Sequence, residues 1–198
     1  THAEEAYIST AASPFSDAMA EKAMELIGEN IRRFVANRTD VEAAEAMMVG
    51  SLFAGIAFSF ARLGNVHAMS HPVSAFFDVP HGVANAVLLP VVAEYNALAD
   101  HGRYYKIYNY ISEIPAHEDE FEPMMLVDAI RSLCKAIGIP ANLTEAINQA
   151  GKTGSISRET IEEKIEAMAA DAMKSGNIAV NPRSSRQCDI EMLYRKAL

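Results

Sequence analysis

The sequence predicts an all-α fold, a multi-helix bundle-like domain. Apolar residues recur at helical spacing through most of the 198 residues, whereas the alternation expected of strands is almost missing. Of the residues, 50% are hydrophobic and 22% are charged, which is typical of a globular chain with a substantial core. No repeat, low-complexity tract or linker divides the chain, so we expect one all-helical domain over residues 1–198.

The first two helices are separated by a short break rich in serine and proline. The opening helix runs through Tyr7, and residues 12–16, Ala-Ser-Pro-Phe-Ser, interrupt it. Ser16 is the expected N-cap of the second helix, because a serine hydroxyl can accept a hydrogen bond from a free backbone N–H there. Apolar residues then recur at helical spacing through 19–35, with most of the charges on the opposite side.

The most hydrophobic segment of the chain is 43–61, which follows an expected cap at Thr39-Asp40 and ends near Gly64. Its uncharged run, residues 46–61, is shorter than the roughly 20 residues that a bilayer-spanning helix requires. We therefore expect this segment to be the central buried helix of the bundle and expect no membrane span.

Helical patterns continue through the rest of the chain. Residues 83–99 form a second long apolar run, which Pro90 interrupts. Later helices are expected at 101–111, 123–138, 157–175 and 189–198. None of these segments has the two-residue period of a strand, which supports the all-α prediction.

Three histidines stand close together in an apolar region that has few others. His67 and His71 are one helical turn apart, so they project from the same face of a helix. His81 stands between a proline and a glycine, which suits a tight turn. Pro72 is expected to kink that helix or to start a new one. Because neutral imidazole binds iron, zinc, copper and nickel, the cluster predicts a divalent-metal site.

Three segments of the chain together form a longer pattern. The central segment reads Gly64-x-x-His67-Ala68-x-x-His71-Pro72, then, after further residues, His81-Gly82-x-x-Asn85-Ala86-x-Leu88-Leu89-Pro90. Thr1-His2-Ala3-x-Glu5-Ala6-Tyr7 precedes it, and Asn181-Pro182-Arg183 with Asp189-Ile190 and Leu193-Tyr194 follows it. The whole pattern resembles the iron-containing (group III) alcohol dehydrogenases. Within it, residues 1–7 are similar to the end of that family's Asp-x-x-x-His metal motif.

The resemblance implies the C-terminal half of a two-domain dehydrogenase. Members of the family pair an N-terminal α/β nucleotide-binding domain with an all-helical domain, and this chain matches the second. The acidic metal ligand would stand one helical turn before His2, and no Gly-x-Gly-x-x-Gly stretch for a dinucleotide occurs. We therefore expect a fragment whose NAD(P) is held by a missing N-terminal domain, and expect residues 1–198 alone to be inactive.

The resemblance also assigns roles to single residues. His2, His67 and His81 match metal ligands for Fe²⁺, with Zn²⁺ as a substitute. His71 matches a histidine beside the nicotinamide and the substrate, where an imidazole could relay a proton, or could merely pack against the cofactor. Phe58 matches an aromatic residue near the wall of the cofactor cleft, although its place in an apolar helix is equally typical of core. The implied activity is NAD(P)-dependent interconversion of an alcohol with its aldehyde or ketone.

Two other functions stay open on the sequence. The chain could be a stand-alone helical metal-binding or interaction domain without redox activity. A di-iron bundle with Glu-x-x-His motifs is weakly supported, because the positions three residues before the clustered histidines hold glycine, alanine and Asp78.

The charge and the cysteine content limit which binding partners and which cellular compartment we expect. A formal charge of −9 disfavours binding to nucleic acid or to an acidic membrane surface. The expected partners are a small alcohol or aldehyde and copies of the chain itself. The two cysteines, Cys134 and Cys188, form no Cys-x-x-Cys pair, and residues 1–7 do not resemble a secretion signal, so we expect a cytoplasmic location.

Overall fold

The computed structural model describes residues 1–151 and 155–198. In that part of the chain it contains α-helices and short 3-10 turns and no β-strand, which confirms the predicted all-α class. The α-helices are α1 (His2–Ile8), α2 (Pro14–Ala36), α3 (Val41–Ala61), α4 (Asn65–Phe77), α5 (His81–Asn96), α6 (Arg103–Ile111), α7 (Pro123–Ala136), α8 (Leu143–Ala150), α9 (Arg158–Glu162), α10 (Ile165–Ala172) and α11 (Gln187–Ala197).

The helices form two packed groups that share one core. The short helix α1 lies against α2 and α3, which pack along each other, and α6 joins α2 to α7. Helix α5 is central, because it contacts α4, α7, α8 and α11. Its inner face buries Leu88 and Val92 completely or nearly so, beside Met69 of α4 and Tyr194 of α11. The starts of α1, α4 and α5 lie close to one another.

The N-cap of α2 is Ser13, so the prediction of Ser16 was wrong. Ser13 accepts a hydrogen bond from the backbone N–H of Ser16, and the Ser16 hydroxyl accepts one from the backbone N–H of Ser13. Pro14 occupies the first helical position, where its fixed φ suits the helix and its missing N–H costs no hydrogen bond. The predicted cap at Asp40 is confirmed, since its carboxylate accepts from Ala43 N at 3.0 Å.

Helix α3 lies at the surface, which contradicts the prediction of a central buried helix. Its buried positions carry only small residues, Ala43, Gly50, Ala54, Ala57 and Ala61. A methyl group built on Gly50 would lie 2.7 Å from the Ile27 side chain, so small residues bring α3 close to α2. Large apolar residues such as Met48 and Leu52 face outward, exposed by 75% and 62%. By length and composition alone, α3 and the segment His81–Ala99 could each span a membrane, with 22% and 50% of their apolar windows buried.

Proline interrupts fewer helices than expected. Helix α4 continues from Asn65 to Phe77 with Pro72 inside it, and α5 continues through Pro90. The segment predicted as one helix over 157–175 is instead two, α9 and α10. Ile161, Ile165, Met168 and Ala172 are all buried, and their helical spacing runs across the break without a glycine or proline to mark it. Helix α8 was not predicted, although Asn142 caps it by accepting from Glu145 N.

Candidate metal centre

Three histidines from three helices converge on one point. His2 is the first residue of α1, His67 lies in the first turn of α4, and His81 is the first residue of α5. One ring nitrogen of each lies within 4.8 Å of the others. The Nε2 atoms of His67 and His2 are 3.0 Å apart. His67 is 1% exposed and is the innermost of the three, whereas His2 and His81 stand at helix starts nearer the surface.

The side-chain amide of Asn85 stands between two of these imidazoles. Its Nδ2 lies 3.0 Å from His67 Nε2 and 3.1 Å from His81 Nε2. Because an amide nitrogen only donates, both Nε2 atoms carry lone pairs, and these point at the one position that the Asn85 nitrogen takes. Asn85 Oδ1 is buried there without a hydrogen-bond partner. Imidazole lone pairs aimed at one point, beside an unpaired amide oxygen, are a donor set that fits a divalent metal ion.

Glu5 forms a buried contact with the central histidine. Its Oε2 lies 2.5 Å from His67 Nδ1, and its Oε1 accepts a hydrogen bond from the backbone N–H of Val66 at 2.7 Å. The side chains of Glu5 and His67 are only 2% and 1% exposed. Glu5 belongs to the motif at residues 1–7, but the sequence alone assigned it no role. The available signal was its place one helical turn after His2 on the same face of α1.

The C-terminal stretch that carried part of the resemblance holds the start of α4. Asn181 Oδ1 accepts hydrogen bonds from the backbone N–H of Asn65 at 3.1 Å and from Asn96 Nδ2 at 3.2 Å. The residue before α4, Gly64, packs against the same group. A methyl group built on Gly64 would lie 2.8 Å from Asn181 Oδ1 and 2.9 Å from Glu5 Oε1. The histidine helix is therefore positioned from both ends of the chain.

Burial favours the neutral form of the outer imidazoles, His2 and His81. Burial lowers the pKa of His2 to about 3, with further lowering from His67, the N-terminal ammonium and His81. Burial also lowers the pKa of His71 and of His81, and the neighbouring His67 adds to both effects. Neutral rings present free lone pairs at neutral pH, which is the form that binds a metal ion.

His71 and Phe58 border the cluster without entering it. The His71 ring stacks on His81, with centroids 5.2 Å apart and planes inclined by 16°, and its centroid is 6.2 Å from that of His67. His71 is exposed, so it faces the opening of the site. The Phe58 ring lies 5.1 Å from that of His2 and packs partly against the core. Pro72 lies inside α4, so His71 stays on the same helix as His67.

Glu4 is buried beside the metal-site residues but points elsewhere. It lines a mostly apolar cavity of about 160 Å³ with residues that include Met24, Ile27 and Leu89. Burial raises the pKa of Glu4 to about 7, the N-terminal ammonium opposes this shift, and Glu5 adds to it. Glu4 is not among the causes that shift the pKa of His2 or that of His81.

The pattern of the whole chain agrees with one protein family. The family model described as "Fe-containing alcohol dehydrogenase family, C-terminal" matches residues 1–198. The chain belongs to the iron-containing alcohol dehydrogenase family. It matches the C-terminal part of that family, as the histidine segment and the all-α fold led us to expect.

Curated members of the iron-containing alcohol dehydrogenase family extend well beyond this chain. The 1,3-propanediol dehydrogenase of Citrobacter freundii is 39% identical over 201 residues, which cover 100% of this chain and 48% of that protein. The lactaldehyde reductase of Escherichia coli (strain K12) is 36% identical over 198 residues, with the same coverage of 100% and 48%. The chain thus spans about half the length of the curated relatives it matches.

Solved structures of the family show the same fold. A crystal structure of 1,3-propanediol oxidoreductase is similar with a TM-score of 0.87 at 39% identity, covering 100% of this chain and 49% of that one. The alcohol dehydrogenase from Oenococcus oeni is similar with a TM-score of 0.86 at 32% identity, again covering 100% and 49%. The helical arrangement described above is therefore that of the C-terminal half of these enzymes.

Proposed function

We propose that this chain is the metal-binding, catalytic part of an NAD(P)-dependent dehydrogenase that interconverts an alcohol with its aldehyde or ketone. One observation carries the proposal: His2, His67 and His81, from three separate helices, aim ring nitrogens at a common point in a chain of this family. An interaction domain would not need three imidazoles held that close together. The relatives' printed names, which include a propanediol dehydrogenase and a lactaldehyde reductase, support small alcohols and aldehydes as the substrate class.

The proposed chemistry is shared between a metal ion on the three histidines and NAD(P). His2, His67 and His81 would hold Fe²⁺, or Zn²⁺ in its place, through their free ring nitrogens. When bound there, the ion supplies Lewis-acid polarisation of the oxygen of the alcohol or carbonyl group. Hydride transfer belongs to NAD(P), and we place its binding in the remainder of a protein about twice this length, in keeping with the 48% coverage of the relatives.

His71 is proposed to move a proton at the mouth of the site. Its exposed ring stacks on His81, so a proton taken up there can pass to solvent without crossing the core. Its lowered pKa leaves the imidazole free to accept a proton at neutral pH. Phe58 would form an apolar wall beside His2, on the side proposed for the cofactor. The two free cysteines support a cytoplasmic location.

Metal analysis of histidine variants tests the site. In the protein that carries this chain, we expect His67→Ala and His81→Ala to reduce the bound Fe²⁺ or Zn²⁺ from one ion per chain to nearly none, because each removes a ligand from a small set. His117→Ala is the matched control, since this exposed histidine lies outside the cluster, and it should retain the ion. Full metal content in both of the first variants would overturn the assignment.

Activity then separates the two functions left open by the sequence. The protein that carries this chain should oxidise a small alcohol with NAD(P), and His67→Ala should abolish that turnover while His117→Ala keeps it. A protein that binds one ion through the three histidines and yet has no such turnover with any of a panel of small alcohols would favour the stand-alone metal-binding function.

A further inference from the structure

The Glu5 carboxylate uses both of its oxygens on the helix that carries His67. Oε1 accepts the backbone N–H of Val66 at 2.7 Å, and Oε2 lies 2.5 Å from His67 Nδ1. Both side chains are almost completely buried, so water does not compete for either contact. The carboxylate is thus held in one orientation by a backbone group before it meets the imidazole.

We infer that Glu5 is a positioning residue that keeps the proton of His67 on Nδ1, so that Nε2 keeps the lone pair that a metal ion needs; this inference rests on the proposed function. An ionised carboxylate only accepts hydrogen bonds, so Nδ1 must donate to it. The other side of the ring requires the same tautomer, because Asn85 Nδ2 can only donate to His67 Nε2. A carboxylate on the outer nitrogen of a metal-binding imidazole fixes the tautomer and the ring orientation and raises the basicity of the ligand.

Replacing Glu5 by glutamine exchanges one hydrogen-bond acceptor for a donor with little change of shape. Glutamine has one oxygen and one NH₂ group where glutamate has two oxygens. If the oxygen stays on the N–H of Val66, the NH₂ group faces Nδ1 and moves the proton of His67 to Nε2, where the metal ion needs a lone pair. If the amide turns over, its NH₂ group faces the buried N–H of Val66, and two donors are left without an acceptor.

Calorimetric titration with Zn²⁺ of the metal-stripped protein that carries this chain tests the inference. We expect Glu5→Gln to weaken Zn²⁺ binding by about 10–100-fold, the usual cost of losing such a partner. Glu4→Gln is the matched control, since Glu4 is the preceding residue of α1, is also buried, and lines an apolar cavity instead. It should keep the wild-type affinity. Equal affinity of Glu5→Gln and wild type would overturn the inference.

The tautomer itself can be read without any variant. In metal-free protein labelled with ¹⁵N-histidine, the nitrogen chemical shifts of His67 should show Nδ1 protonated and Nε2 unprotonated, and Glu5→Gln should exchange the two. His67→Ala identifies the resonances. A wild-type His67 protonated on Nε2 would contradict the inference even if Glu5→Gln does not fold. The proposed function fails separately, when His67→Ala and His81→Ala keep their metal, whatever the tautomer is.

Discussion

At the scale of single residues, there is no room for a side chain at Gly64, the residue just before α4. Gly64 leaves room for two buried oxygens, Asn181 Oδ1 and Glu5 Oε1, each of which accepts a backbone N–H of the first turn of α4. These two hydrogen bonds satisfy donors that the helix itself leaves unpaired. The position of the His67 ring therefore depends on the absence of a side chain at the residue before the helix.

Gly64→Ala should displace one of these oxygens and leave a buried N–H unpaired. We expect a loss of about 1–3 kcal/mol in the free energy of unfolding, the usual cost of an unsatisfied buried donor, together with weaker Zn²⁺ binding. Urea unfolding and calorimetry measure the two effects. Gly82→Ala is the control, because a methyl group built beside His81 meets no atom within 4 Å. A Gly64→Ala protein as stable as Gly82→Ala would contradict this account.

At the scale of elements, close backbone approach rather than large side chains joins the helices around α2. A methyl group built on Gly28 of α2 would lie 1.9 Å from the carbonyl oxygen of Tyr110 in α6. A backbone oxygen inside a helix cannot turn away as a side chain can, so the two helices would have to separate. Small residues serve the same purpose between α2 and α3, where Gly50 faces Ile27.

Gly28→Ala should destabilise the fold by about 1–3 kcal/mol or more, as overpacking does. Gly55→Ala on α3 is the matched control, since a methyl group there meets nothing within 4 Å and alanine favours a helix by up to about 1 kcal/mol. The two variants should thus move the midpoint of urea unfolding in opposite directions. A midpoint for Gly28→Ala at or above that of wild type would show that α2 and α6 are not packed this closely.

At the scale of the whole molecule, the outer face of α3 is the conspicuous apolar surface. Met48 and Leu52 stand one turn apart on it, and exposed Phe60 further along the helix pairs with Phe15 at a centroid distance of 4.9 Å. Contiguous exposed apolar surface of this kind marks contact sites between proteins. We propose that a second copy of the chain binds this face.

Charges on this face should weaken that association. We expect the double variant Met48→Glu with Leu52→Glu to shift the protein towards the monomer in sedimentation velocity, since burying carboxylates against an apolar surface is costly. Leu98→Glu is the control, because Leu98 is 83% exposed and lies outside α3. An unchanged distribution of sedimentation coefficients in the double variant would show that α3 makes no contact between copies.

The sequence by itself determined the all-α class, most of the helices and the histidines that could bind a metal ion. These features are local: the helical period is visible within a few turns, and His67 and His81 belong to one short segment that resembles a family signature. Prediction failed where the local pattern does not mark the end of a helix. The spacing of Ile161, Ile165 and Met168 ran across the end of α9 as if the helix continued.

Only the tertiary structure decided which face of each helix is buried and what the histidines contact. Apolar residues occur on every side of α3, so its sequence does not indicate which face is buried, and the small residues that fit against α2 determine that face. The contact of Glu5 with His67 joins positions 62 residues apart, and that of Asn85 with His67 joins two helices. Such contacts depend on how three helix starts are brought together, which no local pattern specifies.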